Sequence, residues 1–379
     1  MSLESQKSLS EVSSAFSDEF YEMLQSESKM TALQERLQTH GYTSNTGGNE
    51  NSDEVSLSTL IPILSDEMRQ VLIQTLPDLF AGTFETNVYP DEWHWRAGIS
   101  RPDATREMCN SWKSSRTIAS VVLNENLGKF IADVMQWDSV RIAQDDIVWK
   151  PPQPITTQLD YIPQGRRIDT VGFHQDSAYI SKQFTPYDNN SVTLWIALDD
   201  ADQNNGCLEY AVGSHQWQPI LHKREGNDEE SSDMSSFHGS DEKSYKSAID
   251  KAYAIASAKN NADDLPAQLT KNIQAAPVSA GHAVLHHQDT WHGSGPNTSD
   301  TRHRRALVVH FLRGDVTFVE DDHSTATPPL PFGNASYIYG RYKRFNSVEV
   351  DETYFPIIYS KNGCDQKRTE WLDDYVTIV

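Results

Sequence analysis

The chain has 379 residues and a formal charge of -22, from 32 Lys+Arg against 54 Asp+Glu. That balance repels polyphosphate backbones and anionic membrane surfaces, so neither nucleic acid nor a membrane is expected as a partner. The three cysteines are odd in number and widely spaced, the N-terminus MSLESQKSLSEVSS has no apolar leader and no apolar run could span a bilayer, so the reading is of a soluble, cytoplasmic protein.

Residues 1–30 are Ser- and Glu-rich with few apolar anchors, and predict a mobile tail with a short helix near 16–24. Residues 31–379 are long enough for one domain with elaborations. A polar loop over 43–58 precedes Ser65-Asp66-Glu67, which has the form of a helix cap and acidic first turn before Met68, Leu72 and Leu76. Leu127, Phe130, Ile131 and Val134 fall at i, i+3, i+4 and i+7 and predict a second helix. From Ser139 the period changes to two, through Val140 and Ile142, then Ile147 and Trp149, until Lys150-Pro151-Pro152. The segment 191–199 alternates Val192, Leu194, Ile196 and Leu198 against Thr193, Trp195 and Ala197, so one face is core and the other can meet a ligand. The turn Asn204-Asn205-Gly206 leads to a short strand over 207–212. An acidic insertion at about 223–273, helical over 245–259, predicts an excursion over a site mouth or a solvated loop. Strand patterns resume over 277–285 and 304–312.

The chemistry concentrates in His174-Gln175-Asp176, His292 and Arg304. Side chains two apart on an extended segment share a side, so His174 and Asp176 can touch one metal. A third ligand must come from elsewhere; His292 is preferred over His282, His286 and His287 because Gly293-Ser294-Gly295-Pro296 frees the backbone behind it. Two imidazoles and one carboxylate occupy one face of Fe(II) and leave positions for a bidentate 2-oxo acid and O2. An arginine on the next strand supplies a planar fork for the far carboxylate of 2-oxoglutarate. Arg304 and Arg305 project to opposite faces, so only one of them can enter the pocket.

His174-Gln-Asp, Trp195-Ile-Ala-Leu-Asp-Asp, Asn205-Gly-Cys-Leu, Gly213-Ser-His, His292-Gly-Ser-Gly-Pro-Asn and Arg304-Arg-Ala-Leu, with Lys150-Pro-Pro before them, together resemble the phytanoyl-CoA dioxygenase family of Fe(II)/2-oxoglutarate oxygenases over roughly residues 30–360. The resemblance implies a double-stranded β-helix, a mainly β jelly-roll core with flanking helices. It implies that His174, Asp176 and His292 bind iron, that Arg304 binds the distal carboxylate of 2-oxoglutarate, and that Ser294 and Trp195 line the same pocket. His215 in Gly-Ser-His is read as structural. The stretch 302–305 is one residue longer than the family's usual turn, and the insertion has no counterpart in the resemblance.

The implied activity is oxidation of a C–H bond in a small molecule of specialised metabolism, by hydroxylation, desaturation or ring closure, with release of succinate and CO2. Asp176 disfavours halogenation, which requires that ligand position vacant. Gln175, Tyr179 and Trp291, beside the ligands, are the candidates for a substrate wall. Rival readings are a jelly-roll that binds metal or ligand without turnover, a zinc hydrolase and an acyl-CoA hydroxylase; the acidic chain argues against the last. The sequence specifies no oligomeric state.

Overall fold

Strand alternation sorts the long strands into an outer apolar face and an inner, partly polar one, and the computed structural model shows what each face meets. It describes residues 12–44, 60–153, 170–180, 183–217, 246–259, 271–320, 337–344 and 346–376. The helices are α1 (Asp18–Leu24), α2 (Glu27–His40), α3 (Asp66–Ala81), α4 (Arg116–Val122), α5 (Glu125–Met135), α6 (Ser247–Lys259), α7 (Tyr337–Gly340) and α8 (Leu372–Val376). The strands are β1 (Ile61–Pro62), β2 (Glu92–Trp93), β3 (Arg106–Cys109), β4 (Ser139–Lys150), β5 (Val171–His174), β6 (Phe184–Thr185), β7 (Ser191–Ala197), β8 (Leu208–Ala211), β9 (Ile273–Ala276), β10 (His282–His287), β11 (His292–Ser294), β12 (Arg304–Arg313), β13 (Thr317–Phe318) and β14 (Ile357–Ser360).

A large sheet runs β1-β10-β7-β12-β4-β3-β2, with β14 also on β4, and a small sheet runs β5-β11-β8-β9. The strand pairs are antiparallel. Four central strands of the large sheet facing the four of the small one make the double-stranded β-helix. The outward residues Val192, Leu194 and Ile196 of β7, with Leu307, Val309 and Phe311 of β12, join the core beneath α1 to α5. Trp195, Ala197, Ala306 and Val308 lie on the inner face with Leu208 and Tyr210 of the small sheet.

Ser65 caps α3 as its sequence predicts, accepting from Met68 N at 3.1 Å, and the helix stops at Gly82 in the left-handed region. On α5 the predicted stripe Leu127, Phe130, Ile131 and Val134 is buried. Helices α2 and α4, each capped by a serine, are additions to the sequence reading.

Two expectations change. Residues 12–30 are not a free tail: Phe16, Phe20 and Met23 are buried, and the Phe20 ring stands 5.5 Å from that of Phe130. Three aromatic or thioether side chains in contact with a core outweigh the polar residues between them. The described part of the insertion does not lie over a site mouth. Ile249 and Ala256 of α6 pack with Phe173, Ala211 and Trp217 on the outer face of the small sheet. The rest of the insertion, and most of the predicted loop over 43–58, fall outside the described residues. Among the described residues, no helix is long and apolar enough to cross a membrane.

Candidate functional site

His174 ends β5 and His292 begins β11, and the two are direct cross-strand partners with ring centroids 4.3 Å apart. Gln175 keeps an extended backbone (φ -120, ψ 135), which returns Asp176 to the side of His174 before a single 3-10 turn begins. Asp176 Oδ1 then lies 3.6 Å from Nε2 of both His174 and His292. One ligand atom from each of the three falls within 4.8 Å of the others, the metal-type grouping found among the described residues. Gly293 is required beside it, since a Cβ there would stand 2.9 Å from Val171 O and 3.0 Å from the Phe173 ring.

Both imidazoles are held in one tautomer. His174 Nδ1 lies 2.7 Å from Gly172 O and His292 Nδ1 lies 2.9 Å from Thr290 O. A carbonyl only accepts, so each Nδ1 carries a proton and Nε2 is the ring nitrogen left to face the centre. Burial, then the His286 and His174 rings, hold His292 well below its ordinary pKa, so it is neutral and able to ligate. Burial would raise Asp176, but the histidines packed around it, with His286 Nε2 donating to Oδ2, outweigh that and hold the carboxyl well below its usual range.

A second set of residues surrounds Asp176, and of these the sequence reading selected only Tyr179, as a substrate-wall candidate. Its Oδ2 accepts from Thr193 Oγ1 at 2.5 Å and from His286 Nε2 at 3.1 Å, and its Oδ1 from Tyr179 Oη at 2.6 Å. His286, a rival for the distal ligand, therefore serves the carboxylate instead, and its Nδ1 meets the Tyr210 hydroxyl at 2.9 Å. Beyond Thr193 stand His310 Nδ1 at 2.8 Å and, from His310 Nε2, Asp146 Oδ2 at 2.9 Å. Burial opposes charge on His310, yet its bond to Asp146 and the nearby Asp176 raise its pKa. Parity could have found these groups, because 304, 306, 308 and 310 share one face of β12.

At the other end of the inner face Arg304 pairs with Lys150 across β12 and β4. Arg304 is 1% exposed; Nε donates to Gly206 O at 2.9 Å, Nη2 to Ser294 Oγ at 3.0 Å, and Nη1, buried, meets no acceptor. Lys150 Nζ donates to the same Ser294 Oγ at 2.6 Å. With two cations on its oxygen, Ser294 has only its own O–H left to offer, and the pair Arg304 Nη1 and Ser294 O–H forms a donor set for an anion. Burial lowers Arg304 to about 10, so it stays charged at neutral pH. The Trp195 ring centroid lies 5.4 Å from the guanidinium carbon. Arg305 turns to the other face, where Asp199 takes Nε at 2.7 Å and Nη2 at 2.6 Å.

The three substrate-wall candidates separate. Tyr179 is at the centre, as its bond to Asp176 shows. Gln175 points away and donates to Asp289 O at 2.6 Å. Trp291 packs beside Phe173 and Trp217, on the opposite face of the small sheet from His292. The alternation that brings 174 and 176 together turns residue 175 away, and it separates 291 from 292 likewise. His215 Nε2 lies 2.9 Å from Gln38 O.

A double-stranded β-helix that encloses a His-x-Asp and distal His group beside a buried, partly unbonded arginine has the architecture of the non-haem iron, 2-oxoglutarate-dependent oxygenases. The phytanoyl-CoA dioxygenase family model matches residues 14–306, and the chain belongs to that family. It is 27% identical over 220 residues to a probable alpha-ketoglutarate-dependent hypophosphite dioxygenase of Stutzerimonas stutzeri, covering 58% of this chain and 56% of that protein. It is 30% identical over 160 residues to phytanoyl-CoA dioxygenase domain-containing protein 1 of Danio rerio, covering 42% of this chain and 45% of that one. The chain thus spans about half the length of the curated relatives it matches. Among solved structures, the epimerase SnoN in complex with Fe3+, alpha ketoglutarate and nogalamycin RO shares the fold, with TM-score 0.53 and 14% identity over 88% of this chain and 100% of that one.

Proposed function

We propose that this chain is a non-haem iron oxygenase that uses 2-oxoglutarate and O2 to oxidise a C–H bond of a small molecule. One observation carries the reading: a fully buried guanidinium of the large sheet, with an unbonded Nη1, stands beside the hydroxyl of Ser294, which lies two residues along β11 from His292 and its convergent metal-type partners. A metal-binding or hydrolytic jelly-roll has no use for a buried carboxylate fork, whereas a dicarboxylate that also chelates the metal uses both ends.

The residues fit the group. His174 and His292 would ligate through Nε2, Asp176 through Oδ1, and Arg304 with Ser294 would hold the distal carboxylate of 2-oxoglutarate. When bound, iron with 2-oxoglutarate supplies an oxidant generated from O2, with release of succinate and CO2. The chain's own part is to orient the co-substrate and to exclude water: Asp176, Arg304 and Trp195 are each at most 3% exposed, which protects the site from side reactions. Asp176 fills the third ligand position, which favours hydroxylation, desaturation or ring closure over halogenation. Trp195, beside the guanidinium, would wall the co-substrate, and Tyr179 would face the substrate side. All three cysteines are free, which supports action in a reducing compartment such as the cytoplasm.

Anaerobic titration tests the reading. Fe(II) and 2-oxoglutarate together should give a weak visible charge-transfer band that neither gives alone. Tight zinc binding without that band would instead favour the hydrolase.

A further inference from the structure

We propose that Thr193 and His310 are positioning residues that compel Asp176 to ligate through Oδ1 alone, an inference that rests on the metal site proposed above. Asp176 Oδ2 accepts from Thr193 at 2.5 Å and from His286 at 3.1 Å, so both of its in-plane lone pairs are engaged. Thr193 has a single hydroxyl proton. Given to the carboxylate, it leaves the Thr193 oxygen as acceptor for His310 Nδ1 at 2.8 Å. His310 Nε2 in turn meets Asp146 Oδ2 at 2.9 Å, and Gln144 Nε2 holds the two Asp146 oxygens at 2.7 and 2.8 Å. With Thr193 donating to Asp176, the three contacts of the line are complete when both ring nitrogens of His310 donate, one to Thr193 Oγ1 and one to Asp146. The line runs across β4, β12 and β7, and Thr193 and His310 are direct partners in the ladder.

His286 completes the grip from β10. Its Nε2 donates to Asp176, so its Nδ1 accepts from Tyr210 at 2.9 Å, and the Tyr210 ring is stacked 4.2 Å from Tyr42. Thr193, His310 and Asp176 are all at most 4% exposed, so water does not compete for these bonds. Turning Asp176 to chelate through both oxygens would break two buried hydrogen bonds at once. The position that a bidentate carboxylate would fill therefore stays available to other ligands.

Co(II) binding to the full chain, read by visible absorption without 2-oxoglutarate, separates this inference from the one beneath it. Wild-type protein should bind Co(II) and Asp176→Ala should not; absent binding by the wild type, or binding by Asp176→Ala equal to it, removes the metal site itself. Thr193→Val is nearly isosteric and should weaken Co(II) about tenfold. It should also alter the d–d spectrum as the freed oxygen approaches the metal. Thr193→Ser should restore both, which a loss of packing alone would not explain. Wild-type affinity and spectrum in Thr193→Val would overturn the positioning role. If that variant does not fold, Thr193→Ala carries the same expectation and the same refutation.

Discussion

Arg304→Met is the perturbation that bears most directly on the proposed co-substrate. In the wild type the guanidinium is buried and keeps Nη1 for a carboxylate, with Nη2 already on Ser294 Oγ at 3.0 Å. Methionine fills much of the same volume without a donor. A charge-assisted hydrogen bond contributes about 1.5–3 kcal/mol, and stranding a buried charge without its partner costs about 3–5 kcal/mol. A value of about 3 kcal/mol for the lost anchor corresponds to roughly a 150-fold rise in the dissociation constant of 2-oxoglutarate. Metal affinity in its absence should stay within about twofold, because no metal-type ligand contacts Arg304 and additivity holds for separated sites. Removing a buried cation relieves its desolvation but leaves Gly206 O without its donor, so stability should fall by no more than about 1–3 kcal/mol, the cost of one unsatisfied acceptor, read from the unfolding midpoint. The assay is anaerobic titration of the Fe(II)-loaded protein with 2-oxoglutarate, followed by its charge-transfer band. Arg305→Met, whose side chain pairs with Asp199 on the other face, is the control and should bind normally. Affinity within twofold of wild type in Arg304→Met, or loss in Arg305→Met instead, would refute the assignment of faces.

Asp176→Ala should abolish substrate-free succinate formation along with metal binding; undiminished succinate would remove Asp176 from the ligand set. Gly293→Ala forces a Cβ against Val171 O at 2.9 Å and should destabilise the chain by about 1–3 kcal/mol, seen as a lower denaturant midpoint; an unchanged midpoint would show that β5 and β11 yield freely. Burial, then Asp146, raise Glu107 to about 7 from 4.5, with His94 opposing them and Glu92 adding less than His94 removes. The sign follows from proton uptake: between about pH 4.5 and 7 the folded state binds the proton more tightly than the unfolded chain, so this group's contribution falls as pH rises through that window and is level above it. Glu107→Gln should therefore flatten the stability profile between those limits, and an unaltered slope would dismiss Glu107 as its source.

Period-two alternation made the inner and outer faces of 191–197 and 304–312 legible, since one face had to be apolar enough to carry the helices. Capping chemistry made the start of α3 legible at Ser65. Helix α2 shows why other elements were not: Met30, Leu33 and Leu37 bury a narrow stripe in an otherwise polar segment, and tertiary packing supplies what local pattern lacks. The metal-type trio was readable from His174-x-Asp176 and a distal histidine before a glycine-rich turn. Lys150, Thr193, His286, His310 and Asp146 were not selected, because their role depends on which strands become neighbours. Proximity in sequence misled for Gln175 and Trp291, which adjoin the ligands along the chain and face away from them.

The adjacent arginines at the start of β12 make strand registry a functional variable. A slip of one residue against β4 would leave the backbone ladder intact in number yet carry Arg305 indoors and Arg304 out to Asp199. The misaligned chain would still bear a cation on each face, so charge alone cannot proofread the pairing. What can is shape: the Gly206 carbonyl that receives Arg304 Nε belongs to a residue whose Cβ, if it had one, would lie 2.5 Å from Gly295 O. That tight crossing accepts one alignment, so the registry at the start of β12 decides which of the two arginines enters the cavity.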